Sequence, residues 1–259
     1  MKSVSKILIS LGLGLILVFV GIASGGLEKF SLNGILDLDI RFEASSIDNQ
    51  NMSFENLQEL DVDVSNVHIN IYEAETSQQI QVKASHLYKG FSMYQEGQCL
   101  KIKQPQYWWK KNNKYIGQID IYVPKGYIFN DVDIEAGFGQ SSIEGLNANR
   151  LSVDSGFGQF YFNQITCRKF NLENGLGEIN GKNIKCQNQL KVDTGLGSVD
   201  LRLLQQDNQY DYKVDVGLGT VQLGQNSFSG IADQTSYQGY SLMIDVDCGM
   251  GNVDIKMEG

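Results

Sequence analysis

One octapeptide pattern constrains this chain more than any other feature. An apolar residue, any residue, an apolar residue, an acid and any residue are followed by glycine, apolar, glycine. The pattern runs over residues 132–139, 151–158, 170–177, 190–197, 212–219 and 244–251, so six copies lie in the second half of the chain. The leading glycines stand at 137, 156, 175, 195, 217 and 249, giving steps of 19, 19, 20, 22 and 32. A period near 20 built from alternating apolar residues is the signature of a stacked β repeat. Composition agrees: 28 glycines, 2 prolines and no helical spacing past Ala23 point to an all-β chain.

Parity within a copy predicts the geometry. Counted from each leading glycine, the residues five and three before it are apolar, as in Val132/Ile134, Leu151/Val153 and Leu190/Val192. The apolar residue one after it (Phe138, Phe157, Leu176, Leu196, Leu218, Met250) has the same parity, which places it on the same face of a strand. The apolar pairs four and six after the glycine, such as Phe160/Phe162, Val199/Leu201 and Val253/Ile255, have the other parity. The chain therefore turns a corner near the second glycine, a residue suited to positive φ and close backbone approach. A further apolar residue falls nine after the glycine at Leu146, Ile165, Ile184 and Leu204. Each strand is expected to pair with its copy in the next coil. The fold expected is a right-handed, single-stranded β-solenoid-like stack of ~20-residue repeats, its rungs ~4.8 Å apart.

Before the repeats, Leu60-Asp-Val-Asp-Val64, Val67-His-Ile-Asn-Ile71, Ile80-Gln-Val82, Leu100-Lys-Ile102 and Ile119-Asp-Ile-Tyr-Val123 alternate with period two and read as half-buried strands. Residues 57–126 are read as the first strands of the β unit, capping its edge, and residues 127–259 as the repeats. Within the last step, Gly224–Tyr240 reads as a long loop. Residues 27–56 read as a juxtamembrane linker, with Leu36-Asp-Leu-Asp-Ile40 a candidate strand.

Residues 1–26 carry the targeting signal. Val4 to Ala23 is uncharged from Ile7 onward and spans about 30 Å as a helix, the depth of a bilayer core. Lys2 and Lys6 precede it and favour a cytoplasmic N-terminus. The expectation is a single-pass cell-membrane protein, contacting the bilayer through residues 4–23, with an extracellular C-terminal domain. The alternative is a cleaved signal peptide, since Gly21-Ile-Ala23 resembles a small-x-small cleavage site. The net charge is −9; past residue 26 the balance is 19 basic against 30 acidic, or −11, which repels phosphate backbones and argues against a nucleic-acid partner.

Candidate chemistry is sparse. The position two before each leading glycine is acidic: Glu135, Asp154, Glu173, Asp193, Asp215 and Asp247. Stacked, these form an outward column of carboxylates, either a solubilising face or a weak calcium candidate. Cys167 and Cys186 stand one repeat apart, so stacking brings them to disulfide range or makes them a buried apolar pair. Cys248 reads as core, and Cys99 is alone. His68 and His86 have no nucleophile motif beside them, and the glycine pairs lack the third glycine and the helix of a phosphate loop. No catalytic, metal or cofactor residue is assigned. The segment around Tyr107, Trp108, Trp109, Lys110, Lys111, Lys114 and Tyr115 holds both tryptophans. It reads either as an exposed aromatic-basic tip touching membrane or glycan, or as Trp rings packed on the first rung with solvated lysines.

The export segment, the Leu-Asp-Val-Asp-Val strands, Ile121-Tyr-Val-Pro-Lys-Gly126 and the glycine-apolar-glycine repeats together resemble the bacterial "putative adhesin" family of β-strand repeats, domain of unknown function 4097. The resemblance covers roughly residues 57–256. It implies a β-solenoid-like domain outside the membrane with no assigned catalytic residue, in a family that includes accessory proteins of cell-envelope stress operons. The expected function is a non-enzymatic surface protein that binds cell-wall polymer or another membrane protein. The alternatives are a parallel β-helix enzyme acting on polysaccharide and a purely structural spacer.

Overall fold

Period-two alternation builds every element. In the strand Glu59–Ala74 (β2), Leu60, Val62 and Val64 point inward, Ser65 and Asn66 both turn outward at a corner, and Val67, Ile69 and Ile71 point inward again. A computed structural model describes residues 49–87, 90–104, 117–207 and 209–259, all within one unit. The expected membrane span at 4–23, the strand at 36–40 and the aromatic-basic segment from Tyr107 to Tyr115 lie outside the described residues. Among the described residues no helix is long and apolar enough to cross a membrane.

Around β2 lie β1 (Gln50–Phe54), β3 (Ile80–Ser85), β4 (Ser92–Glu96), β5 (Cys99–Gln104) and β6 (Gly117–Pro124). The repeats form β7 (Ile128–Asn174), which runs unbroken through two copies and into the third, then β8 (Glu178–Thr194), β9 (Ser198–Leu203), β10 (Asp211–Val216) and β11 (Thr220–Leu223). The chain closes with β12 (Asn226–Ser229), β13 (Ala232–Ser236), β14 (Met243–Cys248) and β15 (Asn252–Met257). Pairing between coils is parallel and in register: Leu60 stands against Val132, Phe160 against Ile179, and Phe170 against Leu190. The all-β stack of short coils is as expected.

The order of the coils is not. The sixth copy does not stack on the fifth from outside. It inserts between the fourth and the fifth: β14 pairs with β8 on one side and β10 on the other, while β15 lies between β9 and β11. The N-terminal end does the same, with β2 lying between β5/β6 and β7. The first and last coils in sequence are thus both interior to the stack, and the coils at its ends are internal to the chain.

Those outer coils are closed by antiparallel strands. At one end β4 covers β5, and β3 with β1 covers β6; at the other β13 covers β10 and β12 covers β11. The stretch expected to be a long loop at 224–240 therefore supplies two capping strands, and β1 falls inside the expected linker. Unpaired edges recruit other chains, and short antiparallel caps remove that liability.

Inside, the residues five, three and one before the leading glycine and four and six after it are buried in file, as in Phe170, Leu172 and Asn174 or Leu190, Val192 and Thr194, with Ala136 and Tyr212 only partly buried. Each buried Leu, Val or Phe contributes on the order of 1.5–3 kcal/mol. Leu146, Ile165 and Ile184 are buried as expected, but Leu204 is exposed. The coil holding it is one residue shorter: the register shifts between Gly181 and Ile184, and Leu203 takes the inward place opposite Ile184.

The repeat glycines answer to close approach rather than to φ, since only Gly139 of the twelve has a positive φ. A Cβ on Gly175 would lie 2.7 Å from the Gly156 carbonyl oxygen, and one on Gly217 2.7 Å from that of Gly249. No side chain fits between rungs there.

Candidate functional site

At each corner two consecutive residues, the leading glycine and the apolar residue after it, both face outward. Parity counting across the corner therefore fails, and the expected core file is a surface file. Along the stack its members are Phe138, Phe157, Leu176, Leu196, Met250 and Leu218, exposed by 36–73 %. Backbone bonds fix them in line: Leu176 N donates to Gly156 O at 2.9 Å, Leu196 N to Gly175 O at 2.9 Å, Met250 N to Gly195 O at 2.8 Å, and Leu218 N to Gly249 O at 2.7 Å. Phe138 and Phe157 stack with ring centroids 5.1 Å apart. At ~4.8 Å per rung the file is about 24 Å long. Asn66, opposite Phe138, ends it. Single exposed apolar residues need no explanation, but a contiguous line marks an interaction surface.

Beside the file runs an open groove of about 650 Å³. Phe157, Leu176, Leu196 and Met250 line one side, Gln159, Glu178, Ser198 and Asn252 the other, with Gly158, Gly177, Gly197 and Gly251 between them. The polar side is braced by a bond from Gln140 Nε2 to Gln159 Oε1 (2.6 Å) and one from Gln159 Nε2 to Glu178 Oε2 (3.3 Å).

Three positions before each apolar residue stands a carboxylate. The expected column exists, is one member longer, and follows the spatial order Asp63, Glu135, Asp154, Glu173, Asp193, Asp247, Asp215. Partial burial, then neighbouring acids, pushes up the carboxyls of Glu135, Asp154 and Asp247. Asp193 is pushed up by burial despite Lys191, whose Nζ lies 4.0 Å away. Among the described residues no three His, Cys, Asp or Glu side chains converge as a metal set.

Cys167 and Cys186 are register partners, both buried and both free thiols. The Cys167 thiol is pushed up by its hydrogen bond with Cys186 and by burial. Cys186 Sγ donates to Gln189 O at 2.9 Å. Cys248 is core. His68 Nδ1 accepts the Gln140 N–H at 2.8 Å, a structural bond between neighbouring coils.

A second groove, of about 680 Å³, lies on the following face and holds Glu144, Tyr161, Lys182, Asp200 and Arg202. Two of its charges are paired: Arg202 reaches Asp200 at 3.9 Å and Glu258 at 3.3 Å, and Lys256 reaches Asp200 at 3.4 Å.

A solved structure has a similar fold. A "putative cell adhesion protein" from Clostridium sporogenes ATCC 15579 aligns with a TM-score of 0.50 at 15 % identity, over 81 % of this chain and 99 % of that one. A "putative adhesin" from Bacteroides fragilis NCTC 9343 aligns at 0.37 and 12 % identity, over 83 % and 99 %. No curated protein matches the chain. The family model Toastrack DUF4097 matches residues 57–258, which takes in every coil of the stack from β2 to β15, and the chain belongs to that family.

Proposed function

We propose that this chain is a non-enzymatic, adhesin-like binding protein of the cell envelope, held by an N-terminal membrane segment with the β stack outside. The observation that carries the binding role is the file from Phe138 to Leu218, six apolar side chains held outward in register beside an open groove. The uncharged run at 7–23 behind Lys2 and Lys6 supports the anchor and its orientation. A contribution of the Tyr107–Tyr115 segment to membrane or cell-wall contact stays part of the proposal.

The test is cross-linking from the full chain in its own membrane, with a photoreactive residue at Ser198 on the groove wall. Adducts with envelope components are expected, and they should disappear when Phe157, Leu176 and Leu196 are all changed to Ser. Identical adducts from the serine variant would remove the file from the binding surface. Digestion of intact cells by an added protease checks the orientation; a β stack protected until lysis would overturn the extracellular placement.

A further inference from the structure

We propose that the apolar file and its carboxylate flank receive a cationic amphipathic helix of a partner protein, about four turns long, lying along the axis of the stack. The inference rests on the file being the binding surface and adds the chemistry of what it binds.

Spacing selects the helix. The file offers one apolar side chain every ~4.8 Å. A helix returns a side chain to the same face every ~5.4 Å, so its turns stay close to the rungs over several repeats. An extended segment returns one only every ~6.8 Å and drifts out of step after two rungs. The ~24 Å length of the file matches about 16 helical residues.

Charge selects the sign. Seven carboxylates, from Asp63 to Asp215, run parallel to the file, three residues before it on each rung. Lys191 and Lys213 stand in that region as counter-charges, and the chain as a whole carries −9. A second copy of this chain would bring like charge against like, and an anionic lipid surface would meet the same repulsion. A basic edge on the incoming helix would be attracted.

The two flanks differ, which gives the helix an orientation. One side of the file is carboxylate; the other, Gln140, Gln159, Ser198, Asn252 and Thr220 around the single acid Glu178, is mostly uncharged hydrogen-bonding groups. The partner helix should therefore carry Lys or Arg along one border of its apolar stripe and neutral polar residues along the other.

The experiment uses the full chain in nanodiscs of zwitterionic lipid, with empty nanodiscs as the blank. Three labelled 16-residue peptides are titrated by fluorescence anisotropy: Leu/Lys with helical periodicity, the same composition with strict alternation, and Leu/Glu with helical periodicity. The helical Leu/Lys peptide should bind at least tenfold more tightly than either other. Changing Leu176 and Leu196 to Ser should weaken it at least tenfold, and so should raising the salt from 0.05 to 0.5 M. Equal binding of Leu/Glu would overturn the charge assignment while leaving the surface intact. Equal binding of the alternating peptide would overturn the helix. Leu/Lys binding that ignores the serine variant would reduce the effect to bulk attraction and overturn the proposal, as would no binding at all. The cross-linking result at Ser198 then decides the broader reading by itself.

Discussion

Gly197→Ala tests whether the second glycine of the repeat is there for lack of room. A Cβ at 197 would fall inside contact distance of Gly177 O and Asn174 Nδ2, and 2.9 Å from Asn174 Cγ. Gly177 O is a backbone atom and cannot rotate away. Asn174 is 3 % exposed, and its Nδ2 already donates to Gly177 O at 3.0 Å and Ser198 O at 3.3 Å. Overpacking costs about 1–3 kcal/mol. Prying the rungs apart weakens the Ser198 N to Gly177 O bond (3.0 Å) and the Asn174 bond, at about 1 kcal/mol each. Alanine recovers about 0.4–1 kcal/mol from the stiffer unfolded chain. The net loss is about 3 kcal/mol, which for a domain of roughly 200 residues lowers the melting temperature by about 6–12 °C. The control is Gly195→Ala, where the nearest atom to the new Cβ is Gly175 O at 3.1 Å and the next lies at 3.9 Å. Its change should stay within about 1 kcal/mol. Thermal unfolding followed by circular dichroism reads both. A Gly197→Ala midpoint within about 2 °C of the unmodified chain, or a Gly195→Ala loss as large, would refute the close-approach argument.

Further outcomes follow from the coil order, the acids and the thiols. A chain stopped after Tyr240 lacks β14 and β15, so β10 and β11 lose the coil that joins them to β8 and β9. Limited proteolysis should then digest residues beyond about 204 and spare the earlier stack; continued protection of 205–240 would contradict the inserted order. The raised carboxyls of Asp133, Glu135, Asp154, Asp193 and Asp247 mean that the fold disfavours their charged forms. They face Asp61, Asp63, Asp131, Asp215 and Asp245, against Arg150, Lys191 and Lys213. The penalty is complete above the raised values and is relieved as pH falls through them towards ordinary carboxylate values. The melting temperature should therefore rise as pH is lowered from 7 towards the ordinary carboxylate range near pH 4; a steady fall over that whole descent would sink the carboxylate-repulsion account. Iodoacetamide under native conditions should reach at most the half-buried Cys99, whose thiol burial and Asp61 push up, and should spare Cys167, Cys186 and Cys248. Three or four rapid adducts would show that the interior files open.

Much of the stack was legible because it rests on local, repeated physics. Alternation located the strands, and the recurring glycines located the corners. The apolar file was misplaced for an equally local reason. Parity carries information only while the chain stays extended, and at the corner Gly175 and Leu176, like Ser65 and Asn66, both leave the sheet on the outside. The signal available was the glycine on either side of each file member, because two rungs that touch through backbone leave no interior for a side chain between them. Leu204 failed through a one-residue shortening that its coil's spacing does not announce.

The coil order was hidden for a different reason. The fourth, fifth and sixth copies present the same inward pattern: Leu190/Val192, Tyr212/Val214 and Ile244/Val246. Apolar burial alone scarcely distinguishes one stacking order from another. The connections and caps distinguish them. The strands β12 and β13 pair with β11 and β10, the fifth coil, and they lie between that coil and the sixth in sequence. They cover the fifth coil's outer edge as soon as they form, so its inner edge alone stays open to parallel pairing, and the sixth coil must enter there. Antiparallel pairing within 212–236 is local and closes short loops, whereas docking of the sixth coil on the fourth closes the whole stretch from Leu190 to Ile244. The cap therefore forms first, and the long final step from Gly217 to Gly249 is what places the chain's last coil inside the stack.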